Sequence, residues 1–256
     1  MLRAFPFLGL FILAAASAPA AGEELDRAQV ETIIREYLLE NPEVIMEAVG
    51  VLQERAEKAA FEKNRKAITD HRDALFNDPL SIVIGNPKGD VTLVEFYDYR
   101  CPYCREMHAR VERLIAGDPN LRVVLKQYPV KDYPGEAPVS LVAARLAQAA
   151  HKQGKFAAFH GALFAAEPPL SEERLYALAA EAGLDVTRLK EDMRAPETAQ
   201  HVRETLLLAD ALGINGTPTF VVGDIILPGV IETDVLVQLI ARARSLQAAG
   251  AKAQNP

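Results

Sequence analysis

The sequence predicts an α/β protein in which a sheet carries an inserted block of helices and follows a helical N-terminal extension. Two apolar runs at 91–97 and 121–128 flank a helix-like stretch at 101–116, which makes a βαβ unit with parallel strands. An alanine-rich helical stretch follows at about 136–212. Two short strands and a last helix complete the pattern, at 219–222, 225–227 and 233–246.

The first twenty residues have the composition of a secretory signal peptide. Arg3 precedes an apolar run at 5–16, and Ala18-Pro19-Ala20 offers a cleavage pattern. The run is shorter than the about 20 residues that a membrane span needs, so a retained anchor is the less favoured alternative. We expect an exported, periplasmic protein cleaved near Ala20, with its cysteines in an oxidising compartment.

The charge pattern gives no support to a nucleic-acid partner. The net charge is −7, acidic and basic residues are well mixed, and we find no long basic stretch. Loss of Arg3 with the signal peptide makes the mature charge one unit more negative. The remaining chain is long enough for one large or two modest domains.

Residues 24–75 are predicted to form the helical extension. Asp26 and Gln29 make a capping-box pattern, and Asn41 followed by Pro42 predicts the start of a second helix. An apolar stripe follows both helices over 26–52, and a segment of this size cannot form a stable core alone. The stripe must therefore pack on the rest of this chain or on copies of itself.

From residue 53 to 73 the chain is mostly charged residues and alanine, which predicts a solvated helical spacer. Such a spacer would hold the apolar stripe away from the body of the protein. We therefore favour a homo-oligomer assembled through residues 26–52, although its order is open.

The main domain is predicted to span 80–246, with the helical insertion at about 136–212. Inside the insertion, Ser171 should cap one helix and Gly183 should end it. A tight turn at Gly223 and Asp224 predicts an antiparallel hairpin. The last residues, 247–256, are expected to form a flexible tail.

The only two cysteines, Cys101 and Cys104, form a Cys-x-x-Cys motif at the junction between a strand and a helix. This position places Cys101 at the N-cap and Pro102 at the first helical position, where the missing N–H costs nothing. A Cys101 thiolate would face unpaired backbone N–H groups and the positive end of the helix dipole, so its pKa should fall. The spacing predicts a redox site.

The run from Glu95 to Cys104, the Thr217-Pro218 step and the aromatic segment 156–164 together resemble the DsbA family of thioredoxin-fold thiol–disulfide oxidoreductases. The resemblance covers about residues 80–246. The leading helices look like the N-terminal extension of the ScsC-like branch, which is associated with copper tolerance and sometimes with oligomers. Pro102 departs from the glycine expected in that branch, which leaves the direction of exchange open.

The resemblance implies a cis peptide bond before Pro218 and an exposed Thr217 backbone, where an extended substrate strand could pair. It also implies that Glu95 relays protons to Cys104. Lys126, on the neighbouring strand, is a candidate partner for this carboxylate, because a buried carboxylate needs a partner or a raised pKa. The alternative is that Glu95 lies at a solvent-facing edge.

We interpret Cys101 as the nucleophile because it should be exposed at the helix N-terminus, whereas Cys104 lies one turn in and is shielded. Pro102 and Tyr103 are expected to tune the stability of the reduced form and to contact substrate.

Other residues near the motif have less specific interpretations. His108 shares the face of Cys104 and is most simply a surface histidine, although it could tune the site or bind a metal. Asp98 and Arg100 flank the site with opposite charges that should nearly cancel. The apolar residues of the aromatic segment are expected to form core, namely Phe156, Phe159, Leu163 and Phe164.

Three hypotheses follow for the whole chain. The first is an exported thiol–disulfide interchange enzyme without a cofactor beyond the Cys101–Cys104 disulfide, with misfolded secreted proteins as substrates and a membrane redox partner. Oligomers would favour isomerase or reductase work, and a monomer would favour dithiol oxidation. The second is a Cu(I) module held by the two thiolates; zinc is disfavoured because no second cysteine pair exists. The third is a non-catalytic adaptor.

Overall fold

The computed structural model describes residues 26–254, so the predicted signal peptide at 1–20 lies outside the described residues. The chain divides between Arg55 and Ala56 into two units. Within the described range, no helix combines the length and the hydropathy required to cross a membrane.

The first unit consists of helix α1 (Arg27–Glu40) and the beginning of helix α2 (Glu43–Asp70). The predicted capping box is present, since Asp26 accepts from the backbone N–H of Gln29 while the Gln29 side chain accepts from that of Asp26. Asn41 behaves differently from the prediction. Its amide donates to the carbonyl of Tyr37 and caps the end of α1 rather than the start of α2.

The second unit contains a five-stranded mixed sheet in the order β1-β3-β2-β4-β5. The strands are β1 (Ile82–Gly85), β2 (Val91–Tyr97), β3 (Leu121–Gln127), β4 (Thr219–Val222) and β5 (Ile225–Pro228). Strands β2 and β3 are parallel and are connected by helix α4 (Pro102–Gly117), which confirms the βαβ unit. Strands β4 and β5 form the predicted antiparallel hairpin, with Gly223 at a φ of +60° in the turn.

Alternation along β2 sends its side chains to two separate cores. Leu93 and Tyr97 face helix α4 and the inserted helices, whereas Val94 and Phe96 face the other side of the sheet. Glu95 shares the face of Leu93 and Tyr97 because side chains on one face recur every second residue.

The predicted solvated spacer is wrong over its final turns. Ile68, near the end of α2, is only 3% exposed and packs in the core on the Val94 side of the sheet. Helix α3 (Arg72–Phe76) follows, and its Leu75 is fully buried in the same core. A few apolar residues in a charged stretch are enough to anchor it, because each buried one is removed from water.

The insertion consists of five helices, whose bounds are α5 (Val139–Lys152), α6 (Phe156–Ala165), α7 (Glu172–Glu181), α8 (Val186–Asp192) and α9 (Pro196–Ala211). Ser171 caps α7 by accepting from the backbone N–H of Arg174, and Gly183 follows α7 with a φ of +76°. The expected aromatic core is confirmed, since all four of its residues are buried: Phe156, Phe159, Leu163 and Phe164.

The last helix, α10 (Thr233–Gln254), is longer than predicted. The sequence predicts a flexible tail over 247–256, yet the backbone of residues 247–254 is helical. Alanine is the strongest helix former, and this segment holds four alanines, so its local propensity favours continuation of the helix.

Candidate redox site

The two cysteines lie at the N-terminus of helix α4, just beyond the C-terminal end of the central strand β2. Cys101 is the N-cap residue, with φ −81° and ψ 119°, and Pro102 is the first residue of the helix. The backbone N–H of Cys101 donates to the carbonyl of Asp98 at 3.1 Å and closes a tight turn before the helix. Both cysteines are free thiols in this structure.

The expectation that Cys104 is shielded is confirmed, but the expectation that Cys101 is exposed is wrong. Cys101 is 1% exposed and Cys104 is 0% exposed, so both are buried. Cys101 is covered by the chain before Pro218, because its sulfur lies 3.2 Å from the carbonyl oxygen of Thr217, to which the thiol donates when it is protonated. The two sulfurs therefore differ chiefly in their electrostatic surroundings.

The pKa of Cys101 is lowered to about 5, chiefly because the Cys104 thiol donates a hydrogen bond to its sulfur. Burial opposes this shift, while the backbone N–H groups of Cys104 and Tyr103 add to it. These N–H groups belong to the first turn of α4, where they have no partner within the helix. The result is a thiolate at neutral pH, as predicted from the N-cap position.

The pKa of Cys104 is raised well above its usual range. Burial is the largest cause, and the hydrogen bond given to Cys101 and the nearby charge of Glu95 act in the same direction. A pair with one ionised and one protonated sulfur is therefore stable at neutral pH. This asymmetry is the property that allows one sulfur to attack and the other to wait.

The segment before β4 completes the site from the opposite side. The Thr217–Pro218 peptide bond is cis, as the resemblance implies. The Thr217 hydroxyl oxygen is buried and has no hydrogen-bond partner in the described part of the chain. Its backbone carbonyl faces Cys101, so this segment places polar groups next to the sulfur.

Glu95 is buried, at 4% exposure, and not at a solvent-facing edge. Its burial raises the pKa of the carboxyl to about 8. The predicted pairing with Lys126 is wrong, because Lys126 is aligned with Phe96 and therefore lies on the other face of the sheet. Its ammonium donates hydrogen bonds instead to the Asp78 carboxylate, at 2.9 Å, to the Ala74 carbonyl and to the Ser81 hydroxyl.

Asp98 and Arg100 do not form a neutralising pair beside the sulfurs. Arg100 points away and bonds to Asp132 at 3.1 Å and Glu136 at 3.0 Å. Asp98 is buried and accepts hydrogen bonds from four other groups. The expectation that the two charges cancel is therefore wrong, because each of the two side chains is bonded to other groups.

A buried polar chain next to the site was not predicted from the sequence. The hydroxyl groups of Tyr97 and Tyr99 are 3.2 Å apart, and that of Tyr99 lies 2.8 Å from Nδ1 of His160. Burial lowers the pKa of His160 to about 3, so its ring is neutral. Alternation along β2 indicated the tyrosines, but only packing brings α6 to them.

His108 is half-buried, which corrects the simpler expectation of a surface histidine. Its ring stacks on Phe164, with 4.8 Å between ring centres, and burial lowers the pKa of the imidazole. Two residues of the motif are exposed, Tyr103 at 59% and Pro102 beside it. These two residues are therefore accessible at the surface.

Two sulfurs in mutual contact are a donor set that suits Cu(I), which prefers thiolates. Over residues 26–254, no group of three or more His, Cys, Asp or Glu side chains is arranged to hold a metal ion. A resident metal centre with three or four protein ligands thus has no site among the described residues.

Comparison with known families agrees with this geometry. A family described as "DSBA-like thioredoxin domain" matches residues 92–241. A second family, "Copper resistance protein ScsC N-terminal domain", matches residues 26–59. The first match includes both cysteines and the cis proline, and the second includes α1 and the first part of α2.

Solved structures show the same similarity. A thioredoxin-like oxidoreductase from Silicibacter pomeroyi is 46% identical, with a TM-score of 0.65, and the match covers 68% of this chain and 98% of that one. Proteus mirabilis ScsC, in a transitional conformation, is 28% identical, with a TM-score of 0.63, and the match covers 86% and 99%.

The curated relatives that match are longer proteins. One of them, Na(+)/H(+) antiporter NhaA 1 of Salinispora arenicola, is 34% identical over 140 residues, which is 55% of this chain and 21% of the relative. The chain therefore spans about a fifth of the length of the curated relatives it matches.

Proposed function

The chain belongs to the DSBA-like thioredoxin family, in its ScsC-like branch, and from this premise we propose that Cys101 and Cys104 are the redox pair through which it exchanges disulfides with exported proteins. The family makes the chain a thiol–disulfide oxidoreductase. The residues that carry the exchange, its direction and its substrates are the parts that we propose.

One observation carries the assignment of the pair: the pKa of Cys101 is lowered to about 5 while that of Cys104, three residues away, is raised. A sulfur that is ionised at neutral pH is both a nucleophile and a good leaving group. We therefore assign the attack to Cys101 and the resolving step to Cys104.

In the oxidising direction, a substrate thiolate attacks Cys101 of the enzyme disulfide. The Cys101–Cys104 bond breaks, Cys104 leaves with the electron pair and takes up a proton, and a mixed disulfide remains on Cys101. A second substrate thiolate then attacks the substrate sulfur of this mixed disulfide. Cys101 leaves as a thiolate, the substrate is oxidised, and the two electrons remain on the enzyme as the dithiol.

In the reduced enzyme, the Cys101 thiolate attacks a wrong disulfide of the substrate and releases one substrate thiolate. If that thiolate attacks another substrate disulfide and a substrate sulfur then displaces Cys101, the result is isomerisation without net redox change. If the substrate stalls, Cys104 loses its proton and attacks Cys101, which releases the substrate reduced. We assign acceptance of that proton to the ionised fraction of Glu95, whose pKa of about 8 lies close enough to neutral pH for both forms to be present.

Substrate contact is assigned to the groups around the sulfurs. An extended substrate chain would pair with the backbone at Thr217, next to Pro218, while its cysteine meets Cys101. Pro102 and the exposed Tyr103 would contact the same chain from the helix side. These contacts involve mainly backbone, which fits a protein that acts on many unfolded sequences.

The direction of exchange depends on assembly. Ten of the eighteen large exposed hydrophobic side chains of the described chain lie in residues 26–52, and they include Ile34, Tyr37 and Leu52. Large exposed apolar surfaces of this kind mark interaction sites. We propose that copies of the chain associate through it, and that the assembly works as an isomerase or reductase.

A monomeric dithiol oxidase is the first alternative. Cu(I) binding by the two thiolates is the second, and the observation that favours it is the match of residues 26–59 to a copper-resistance family. Copper binding by the reduced form is compatible with thiol exchange, so the two have to be separated by metal content and by exchange in metal-free buffer.

Export through the signal peptide at 1–20 would place the protein in the periplasm, where misfolded secreted proteins are its substrates and a membrane protein resets its redox state. The mass of the mature protein tests the first part. Cleavage near Ala20 is expected after export, and an uncleaved chain would contradict it.

The deciding experiment follows refolding of a scrambled multi-disulfide protein by the purified chain, with the mass measured by light scattering. Recovery of the refolded activity together with a multimeric mass is the expected result. Cys101→Ser should abolish recovery, whereas Cys104→Ser should accumulate a mixed disulfide because the resolving sulfur is missing. Recovery that survives Cys101→Ser would overturn the assignment.

Association has a matched pair of variants. Ile34→Asp, at a position 53% exposed in the N-terminal helices, should reduce the mass to that of a monomer and favour oxidation over isomerisation. Leu207→Asp, at a position 63% exposed on α9, should leave the mass unchanged. A monomeric native chain with fast oxidation of reduced substrate would establish the oxidase alternative instead.

A further inference from the structure

Each of the three residues before Cys101 is bonded to the inserted helices or to the loop that leads into them. We define residues 98–101 as the redox turn, which closes through the bond from the Cys101 N–H to the Asp98 carbonyl. Three hydrogen bonds connect this turn to the insertion and to the loop before it. Asp98 bonds to Ser140, Tyr99 to His160 and Arg100 to Asp132.

Asp98 is almost completely buried, at 2% exposure. One of its oxygens accepts from the Arg100 N–H at 2.8 Å and from the Ser140 hydroxyl at 2.9 Å. The other accepts from the N–H groups of Val130 and Lys131, at 2.8 and 2.9 Å. Four donors from three segments thus converge on one carboxylate.

All four donors are dipoles, three backbone N–H groups and one hydroxyl. A buried carboxylate is costly unless its lone pairs are matched, so the directions of these four bonds restrict where Asp98 can lie. Its backbone is in turn bonded to Cys101. We propose that Asp98 is a positioning residue, whose carboxylate holds the redox turn against helix α5 and residues 130–131 and thereby directs the Cys101 sulfur at the first turn of α4.

This role can be separated from a simple charge effect because the two predict opposite signs. A negative charge near Cys101 disfavours the thiolate, so removing it would lower the pKa of Cys101 further. Loss of positioning turns the sulfur away from the N–H groups of Cys104 and Tyr103, which contribute to its low pKa. The pKa would then rise towards its usual range.

The test is Asp98→Asn in the full chain, with the pKa of Cys101 read from the ultraviolet absorbance of its thiolate in the reduced protein. An amide keeps the size of the side chain but replaces one acceptor oxygen by a donor. We expect a rise of about one pKa unit or more, with a slower alkylation of the thiol at acidic pH. A fall, or no change beyond a loss of stability, would overturn the proposal.

Ser140→Ala is the second variant, and it removes one donor while the charge remains. We expect a smaller rise in the same direction, and this variant decides the question if Asp98→Asn fails to fold. Asp192→Asn is the matched control, because Asp192 pairs with Arg188 inside the insertion. It should leave the pKa of Cys101 unchanged.

The inference rests on the proposed function, since both concern Cys101, but the two fail separately. An ordinary Cys101 pKa in the native protein would contradict the proposed function. A low native pKa that neither Asp98→Asn nor Ser140→Ala raises would contradict the positioning role alone.

Discussion

The two units of the chain both contain apolar residues on helices, but they differ in whether these residues are buried. Helix α1 has the regular apolar spacing of an amphipathic helix, yet none of its residues is buried. Helix α6 lies in the second unit, which we call the compact unit, and it buries Phe159 and Leu163 completely. Both segments are helical, so the difference lies in what covers the apolar face and not in the local structure.

This contrast separates helix formation from helix burial. Capping and spacing are enough to predict that α1 is a helix, because they act within a few residues. Burial depends on a partner surface, which α6 finds in α5 and α7 of the same chain. An isolated exposed helix is marginal in water, and the proposed association of copies would supply the partner for its apolar face.

The largest difference is expected between two alanine substitutions, one in each unit. Phe159→Ala, at a position with no exposure, should lower the free energy of unfolding of the compact unit by about 3–5 kcal/mol. Ile34→Ala, at a position 53% exposed, should change it by no more than about 0.5 kcal/mol, because little apolar surface is lost from the core. Denaturant unfolding measures both.

The comparison breaks if Ile34→Ala destabilises the compact unit as much as Phe159→Ala does. The extension would then be packed on the body of the same chain, which was the alternative that the sequence left open. Retention of the unfolding midpoint with a changed mass by light scattering is the outcome that supports separate roles.

A medium effect is expected from Glu95, the buried acid of the compact unit. Its pKa is about 8 in the folded protein, against 4.5 for an ordinary glutamate, so between these values the folded state holds a proton that the unfolded chain has released. Its contribution to stability is complete below about pH 4.5 and is lost as the pH rises to 8. Relative to Glu95→Gln, the native protein should lose up to about 1.4 kcal/mol per pH unit.

Unfolding of both proteins at several pH values measures this difference. Glu43→Gln, on the exposed start of α2, is the control and should follow the native profile. Parallel profiles for the native protein and Glu95→Gln would show that the carboxyl is not protonated on folding.

The smallest effect is expected at the helix caps, where the two units again differ. Ser171 accepts a hydrogen bond from the N–H of Arg174 at the start of α7, and Ser171→Ala should cost the compact unit about 1 kcal/mol. Asp26→Ala removes the equivalent cap of α1. It should weaken association without shifting the unfolding of the compact unit, and an equal shift from both variants would contradict the division into two units.

The elements of the fold were predicted well because they depend on short-range patterns. The strands at 91–97 and 121–128, the hairpin at Gly223 and the cap at Ser171 follow from alternation, turn chemistry and capping. The spacer and the tail were predicted less well. Their composition describes the average residue, whereas one buried side chain such as Ile68 decides where the chain is anchored.

The site was predicted in part for the same reason. The N-cap position of Cys101 and the lowered pKa are local and could be read from the motif. The burial of Cys101 comes from Thr217, more than a hundred residues later, and no local pattern contains it. Lys126 was misassigned because one residue of register moves a side chain to the other face of a sheet.

Local chemistry along the chain thus specified the helices, the strands and the reactive end of α4, since capping, alternation and the helix dipole act over a few residues. Tertiary packing alone specified which groups surround that end. It brought Ser140 to Asp98 and His160 to Tyr99, and it buried Glu95 away from the cations of residues 26–254. The reason is that burial and hydrogen bonding between distant segments depend on the whole packed chain.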